Sequence, residues 1–388
     1  MKYKTPLEYG MLACDALMRM YAPEKLPPEN KFFYHQGVFL SGMQNIYALS
    51  GEEKYFDYVK AYCDSLIDEN GDLYAAYAAT DASGFTVNVP ASRAIRMLDH
   101  KQPTVLLYQL YDRTGDERYL KYLKKVAASM HFWPTNDYGA YWHTMYHSCQ
   151  VWMDGAYMAG PLCVLYAKRF GDTALRERAI HQIFIMNEHT KDEKTGLYFH
   201  GWDPTKAAEW ADPETGCSQE IWGRAVGWYA VAILDILENI PQNHPAVAQL
   251  KKIELDLLRA LKKYRHPESG LWCQILDKPE RKDNWIESSC SNLFIYSIAK
   301  AIRMGIADRD EFSDMLETAY NSSIALLYND ADGYLVIDHV CEGTCIESGT
   351  YGFYIHRKKI KNDLHGAGAF ILMCAEMQRY NNFIADLK

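Results

Sequence analysis

Two aspartates, two histidines and an arginine stand where their types could do chemistry. Asp154 is embedded in Val151-Trp152-Met153-Asp154-Gly155-Ala156-Tyr157-Met158, a carboxyl group among apolar and aromatic neighbours. Burial disfavours the charged form, so desolvation together with a nearby Asp99 charge is expected to raise its pKa and leave it ready to donate a proton. Asp99 is the second acid, and paired carboxylates in one cleft can share general acid and base roles. Either aspartate could instead simply cap a helix, since Asp is a favoured N-cap residue. Arg224 lies in Ile221-Trp222-Gly223-Arg224-Ala225-Val226-Gly227-Trp228, too apolar a stretch for a guanidinium without an anion beside it. That anion is either a structural acid such as Glu220 or a carboxylate on a ligand.

The elements that must position these groups form a repeat, and periodicity of this kind decides the fold. Ser50-Gly51-Glu52-Glu53-Lys54-Tyr55-Phe56 and Thr114-Gly115-Asp116-Glu117-Arg118-Tyr119-Leu120 are near copies. Each has a Ser or Thr three residues before a Glu, the capping-box spacing of a helix start. Apolar residues then recur at helical spacing, Tyr55, Phe56, Val59, Tyr62 and Leu66 in one and Tyr119, Leu120, Leu123, Val126 and Met130 in the other. Gly171-Asp172 opens a third segment of the same kind. After each such helix comes a glycine leading a short extended run, as in Gly71-Asp72-Leu73-Tyr74, Gly139-Ala140-Tyr141-Trp142-His143, Gly196-Leu197-Tyr198-Phe199-His200, Gly270-Leu271-Trp272-Cys273-Gln274 and Gly333-Tyr334-Leu335-Val336. Aligned on the glycine, His143, His200 and Gln274 are equivalent, so they face the same way.

A third kind of segment is apolar nearly all round after a polar first turn, and predicts helices at His35–Leu49, Asp99–Tyr111, Asp154–Phe170, Trp222–Glu238, Ser288–Ile302 and His365–Gln378. Six amphipathic helices alternate with them, the first near Leu7–Tyr21 and later ones near Ala246–Tyr264 and Glu311–Tyr328. Helices apolar all round belong inside and amphipathic ones outside. Six helical hairpins of this kind predict an all-α (α/α)6 barrel, with residues 1–388 as a single catalytic domain. An open helical solenoid is the alternative, although both end helices are more apolar than solenoid caps. In the closed ring the inner helices are parallel and their N-termini surround one mouth. Tyr34, His35, Gln36, Asp99, Asp154, Trp222, Arg224, Ser288, Ser289 and His365 fall there, with His143 and His200 on the same rim. Trp142, Trp152, Trp202, Trp222 and Trp228 gather beside them, where indole faces could stack on sugars.

Composition narrows the partners. The chain has 388 residues, 41 Lys+Arg against 50 Asp+Glu, a net charge of −9, and 13% aromatic residues. An acidic balance argues against nucleic acid, and a content of apolar and aromatic residues this high argues against disorder. No apolar run is long enough for a membrane span and the first residues do not read as a secretory signal, so a cytoplasmic location is expected. The 10 cysteines have no framework spacing, and Cys341-x-x-x-Cys345 lacks a second pair, so free thiols and no metal are expected. Gly366-Ala367-Gly368 follows no strand and reads as small-residue helix packing rather than nucleotide binding.

The chain resembles the unsaturated rhamnogalacturonyl hydrolases, family 105 of the glycoside hydrolases, and their relatives, the unsaturated glucuronyl hydrolases of family 88. The resemblance rests on Tyr34-His35-Gln36-Gly37-Val38-Phe39, Trp152-Met153-Asp154-Gly155, Glu214 through Ser218, Trp222 through Tyr229, Asp283 through Ser289 and Asn362 through Phe370. It implies an (α/α)6 barrel, no metal and no organic cofactor. It further implies removal of a 4,5-unsaturated uronic acid from the non-reducing end of oligosaccharides made by polysaccharide lyases, by hydration of a vinyl ether. Carried over, Asp154 and Asp99 are the catalytic residues, and Tyr34, His143, His200, Trp222, Arg224, Trp228, Trp152 and His365 bind the substrate. Arg224 and His200 would hold its carboxylate. The stretch from Tyr77 to Arg96 reads as an inserted rim loop. A family 88 specificity, an inverting glycosidase using Asp99 and Asp154 across a water, and a non-enzymatic helical scaffold are the other readings. A small oligosaccharide is the expected partner, with no nucleic acid or membrane; the sequence carries no signal for an oligomeric partner.

Overall fold

The computed structural model describes residues 4–27, 31–74 and 96–387. Most of the rim loop expected from Tyr77 to Arg96 lies outside them. Helices α2 (Tyr34–Ser50), α4 (Leu106–Thr114), α6 (Gly155–Phe170), α8 (Gly223–Asn239), α10 (Ser288–Arg303) and α13 (Leu364–Asp386) form the inner ring. Each packs on the next, the short α4 through the turn that precedes it, and α13 packs back on α2, so the ring closes. Helices α1 (Pro6–Met20), α3 (Glu53–Leu66), α5 (Glu117–His131), α7 (Thr173–Thr190), α9 (Val247–Lys263) and α11 (Arg309–Ala325) lie outside it, and a short helix, α12 (Tyr351–Ile355), precedes the last inner one. This is the (α/α)6 barrel expected from the repeat, and the expected helix boundaries hold to within a few residues for most elements.

Two local expectations fail. The second inner helix does not start at Asp99. Residues Leu98–His100 and Gln102–Val105 are 3-10 turns, and α-helix begins only at Leu106. Pro103 has no N–H to donate and disfavours helical backbone at the residue before it, so the chain tightens first. The capping boxes at Ser50–Glu53 and Thr114–Glu117 also do not form. Ser50 and Thr114 each accept from the backbone N–H two residues on, and the true N-caps are Glu52, which makes no side-chain cap bond, and Asp116, which accepts from the Arg118 N–H. A full capping box occurs instead at Thr5 and Glu8, ahead of α1.

The closest approach in the ring is between its first and last inner helices. A Cβ at Gly368 would lie 2.6 Å from backbone atoms of Val38 and Phe39. Only glycine permits α2 and α13 to meet backbone to backbone, which gives the Gly-Ala-Gly segment the packing role expected of it. Outside the ring of helices, short antiparallel pairs join the mouth segments: β1 (Val151–Trp152) with β2 (Gly201–Trp202), β3 (Tyr328–Asn329) with β4 (Leu335–Val336), and β5 (Val340–Cys341) with β6 (Lys359–Ile360). Glu287 ties β5 to the barrel: its carboxylate caps α10 through the Ser289 and Cys290 N–H groups and accepts from the Cys341 N–H at 2.9 Å. All ten cysteines are free. No helix among the described residues is long and apolar enough to cross a membrane.

Candidate active site

The glycine-led repeat builds the site. Gly139 and Gly196 adopt φ of +82° and +77°, a left-handed turn that L side chains resist. Four residues later the backbone carbonyl meets the start of the preceding inner segment. The Leu98 N–H donates to the His143 carbonyl at 3.0 Å, Met153 to His200 at 2.9 Å and Gly223 to Gln274 at 2.9 Å. The next residue in each segment is Asp99, Asp154 or Arg224, so these three are equivalent positions, each set beside its repeat partner. His143 Nε2 lies 3.4 Å from Asp99 Oδ1, and His200 Nε2 lies 3.0 Å from Asp154 Oδ2. Gln274 and Arg224 instead both turn to Cys341, Gln274 donating to its Sγ and Arg224 to its carbonyl.

The tryptophans follow the same register. Trp152 stacks on His143, with ring centroids 4.4 Å apart and planes within 15°, and Trp222 lies against His200 at 4.6 Å. Trp202 stacks on His189 at 4.0 Å and Trp228 on Tyr157 at 4.7 Å. All four indoles are buried. The expectation of a ring of tryptophans free to stack on sugar is therefore narrowed: an imidazole or a phenol lies against each of these indoles, and of the four only Trp152 lines the cleft at the mouth.

Asp154 is the N-cap residue of α6, yet its side chain makes no capping hydrogen bond. Its carboxylate is directed at His200 instead, which sets aside the capping role. The expected rise in its pKa is reversed. Burial pushes the carboxyl up, but the His200 hydrogen bond and the positive potential of His200, His143 and Arg224 outweigh it, and Asp154 is held below the ordinary Asp range. His200 is itself pushed down, chiefly by burial against the pull of Asp154. Burial holds the Tyr354 phenol well above its usual pKa, so it keeps its proton. These directions fix one chain: the Tyr354 hydroxyl donates to His200 Nδ1 at 2.7 Å, and His200 Nε2–H donates to the Asp154 carboxylate. His143 responds in the other sense. Burial lowers its pKa, but the Asp99 charge and hydrogen bond and the Asp154 charge win, and the imidazole is held above its usual range. Its Nδ1 is buried and has no hydrogen-bond partner among the described residues.

A cleft of about 460 Å³ opens over these groups. Tyr34, Asp99, His143, Trp152 and Asp154 line it, so five of the ten site residues expected from sequence come together on its wall. The other five, His200, Trp222, Arg224, Trp228 and His365, lie in a buried layer and do not line it. Arg224 is the sharpest correction. Its partner is neither Glu220, which pairs with Lys278, nor an open position for a ligand. Its guanidinium donates to the Cys341 carbonyl at 2.6 Å and the Glu342 carbonyl at 2.8 Å and lies over the Trp222 ring. Two peptide dipoles and an indole face take the place of the anion that burial seemed to demand.

Residues that sequence reasoning did not assign to the site also line the cleft: Phe33, Met97, Met158 and the segment Gly343, Thr344 and Cys345. Tyr354, behind His200, carried no motif at all. The 343–345 segment did carry one, the Cys341-x-x-x-Cys345 pair, which reads as chemistry only if a metal is sought.

Two acids, each beside a histidine one repeat on, face a cleft at the mouth of a helical ring, an arrangement suited to the acid–base chemistry of a glycoside hydrolase. Within that class the chain belongs to Glycosyl Hydrolase Family 88, whose family model matches residues 12–381. The unsaturated rhamnogalacturonyl hydrolase YesR of Bacillus subtilis (strain 168) is 26% identical over 328 residues, covering 82% of this chain and 81% of that protein. Protein Atu3128 of Agrobacterium fabrum is 30% identical over 230 residues, 56% of this chain and 97% of the relative. Among solved structures, a family 105 glycoside hydrolase of Clostridium acetobutylicum ATCC 824 superposes with a TM-score of 0.86 at 28% identity, covering 96% of this chain and 99% of the other.

Proposed function

We propose that the protein removes a 4,5-unsaturated uronic acid from the non-reducing end of lyase-generated, rhamnogalacturonan-type oligosaccharides, with residues 1–388 acting as one catalytic domain. The observation that carries this reading is the Asp154 carboxyl: it lines the cleft beside Asp99 and is joined to a hydrogen-bonded His200–Tyr354 pair that can accept or return a proton. The similarity to the unsaturated rhamnogalacturonyl hydrolase YesR and to the family 105 structure supports the substrate class.

Asp154 acts as general acid and base. An anionic uronate seated beside it, in a cleft from which water is displaced, raises its pKa from the low resting position and allows it to take up a proton. It gives that proton to C4, the C4=C5 electron pair forming the new C–H bond and leaving positive charge on C5 and the ring oxygen. Water adds to C5 and returns a proton to the Asp154 carboxylate. The resulting hemiketal opens to the ketone, and the anomeric carbon releases the remaining sugar. Asp99 binds ring hydroxyls and supports the transient charge. Because Arg224 is committed to two carbonyls, the substrate carboxylate falls to His143, whose charged form the Asp99 carboxylate favours.

The test is loss of the ultraviolet absorbance of the conjugated double bond when the protein is incubated with lyase-generated oligosaccharides. Absorbance falls with unsaturated substrates and saturated ones stay intact. Equal cleavage of saturated oligosaccharides would overturn the vinyl-ether mechanism. Rhamnogalacturonan fragments compared with glycosaminoglycan- and ulvan-derived ones decide the sugar released.

A further inference from the structure

Where α2 meets α13, three groups converge that the proposed reaction does not use. His35 Nδ1 lies 3.1 Å from Asp363 Oδ1, His365 Nδ1 lies 2.7 Å from the same oxygen, and the two Nδ1 atoms are 3.3 Å apart. His365 is fully buried, His35 is nearly so, and Asp363 is partly buried. The other nitrogen of His365 settles how its ring is used. Nε2 is 3.0 Å from the Cys341 carbonyl, which also accepts from Arg224, so Nε2 must carry a hydrogen. A neutral imidazole has only one N–H. With that hydrogen at Nε2, the Nδ1 lone pair faces a carboxylate oxygen at 2.7 Å, a contact that is repulsive unless a second proton or a metal ion sits between them.

We infer that His35 Nδ1, His365 Nδ1 and Asp363 form a site for a divalent transition metal of the zinc type at the seam of the barrel. Two imidazoles and a carboxylate suit such an ion, and tetrahedral coordination at zinc bond lengths puts neighbouring ligand atoms about 3.3 Å apart. Two of the three separations, 3.1 and 3.3 Å, are close to that size, and the third, at 2.7 Å, is shorter. The His365 Nε2–H on a backbone carbonyl is the outer partner that orients a metal-bound histidine. The ion would not enter the acid–base steps at Asp154. It would join the N-terminal turn of the first inner helix to that of the last, holding Tyr34 and the cleft wall at residue 343 in place. This departs from the sequence expectation of no metal, which rested on cysteine spacing and on the family resemblance.

The experiment strips the full-length protein of metal with a chelator and titrates it with Zn2+ and Co2+. Uptake of about one equivalent, a rise in Tm on zinc addition and visible absorption from the Co2+ form in the tetrahedral range are expected. Asp363→Asn retains a good N-cap for α13 and His35→Gln retains size and polarity; each should lose the Co2+ band and at least tenfold in zinc affinity while the stripped proteins keep their helical circular dichroism. No uptake by the unmodified protein would show the cluster to be a protonated histidine–carboxylate pair and overturn the inference. Uptake equally strong in both variants would place the metal elsewhere and overturn it as well.

Discussion

Nε2 of His200 lies 3.0 Å from Oδ2 of Asp154, and this contact, rather than the apolar wall around it, sets the resting charge of the acid. Desolvation alone would keep the carboxyl protonated. With one imidazole bonded to it and a second imidazole and a guanidinium nearby, the carboxylate form prevails. Substrate must therefore do part of the work of readying the acid.

Asp154→Asn keeps the size of the side chain and a hydrogen-bonding group but cannot donate an acidic proton. Loss of a general acid and base typically costs about 10²- to 10⁴-fold in rate. The variant should lose kcat by about that factor with KM within a few-fold, measured by the decay of double-bond absorbance. A loss confined to KM would move the proton donor elsewhere.

The pH profile carries a sign. Because Asp154 is held low in the free enzyme, kcat/KM should rise as pH falls from neutral, following its protonated fraction. His200→Leu removes the hydrogen bond that lowers this pKa, so burial counts for more and the limb moves to higher pH even as the maximum rate drops. A limb that moves to lower pH would contradict the assignment.

Tyr354→Phe deletes a single donor. Its hydroxyl fixes the His200 tautomer that presents Nε2–H to Asp154. A hydrogen bond of this kind is worth about 0.5–1.5 kcal/mol, so kcat should fall about two- to tenfold. The basic limb should shift with it, which a merely structural role would not produce.

Glu254 tests stability away from the cleft. It is fully buried in α9, neither carboxyl oxygen meets a hydrogen-bond partner among the described residues, and burial holds its pKa well above the usual value. A raised folded pKa means the native state binds the proton more tightly. Stability is therefore greatest below the unfolded pKa and declines by about 1.4 kcal/mol per pH unit above about pH 4.3 until the buried group itself ionises. Glu254→Gln removes that slope, so its Tm relative to the unmodified protein should climb from pH 5 to pH 8. A constant difference would mean Glu254 is ionised in the fold.

The ring was legible in the sequence because its signals are local and repeated: helical spacing, glycine turns, and two kinds of helix in alternation. Asp99, Asp154 and His143 were placed at the mouth for the same reason, since the repeat sets inner-helix starts and glycine-led segments on one rim, but the pairing of each histidine with its aspartate emerged only in the structure. What escaped were directions. Arg224 occupies the same repeat position as the two aspartates, and position alone cannot tell that its fork is met by the carbonyls of Cys341 and Glu342, more than a hundred residues on. Tyr354 and the 343–345 wall arrive on a segment outside the repeat. The Asp154 pKa was misjudged because its sequence neighbours are apolar while its neighbours in space are cationic.

The backbone contact of Gly368 with Val38 and Phe39 also bears on how the chain assembles. It joins residues separated by some 330 positions, as does the His35–His365 contact beside it. The other inner contacts link consecutive hairpins and can zip up in order along the chain. Closing the ring must instead overcome the entropy of a loop nearly as long as the molecule, and contacts of such high order form slowly. The cleft wall contributed by residues 343–345 lies beside Tyr34 at this junction, so the site is complete only once the ring has closed.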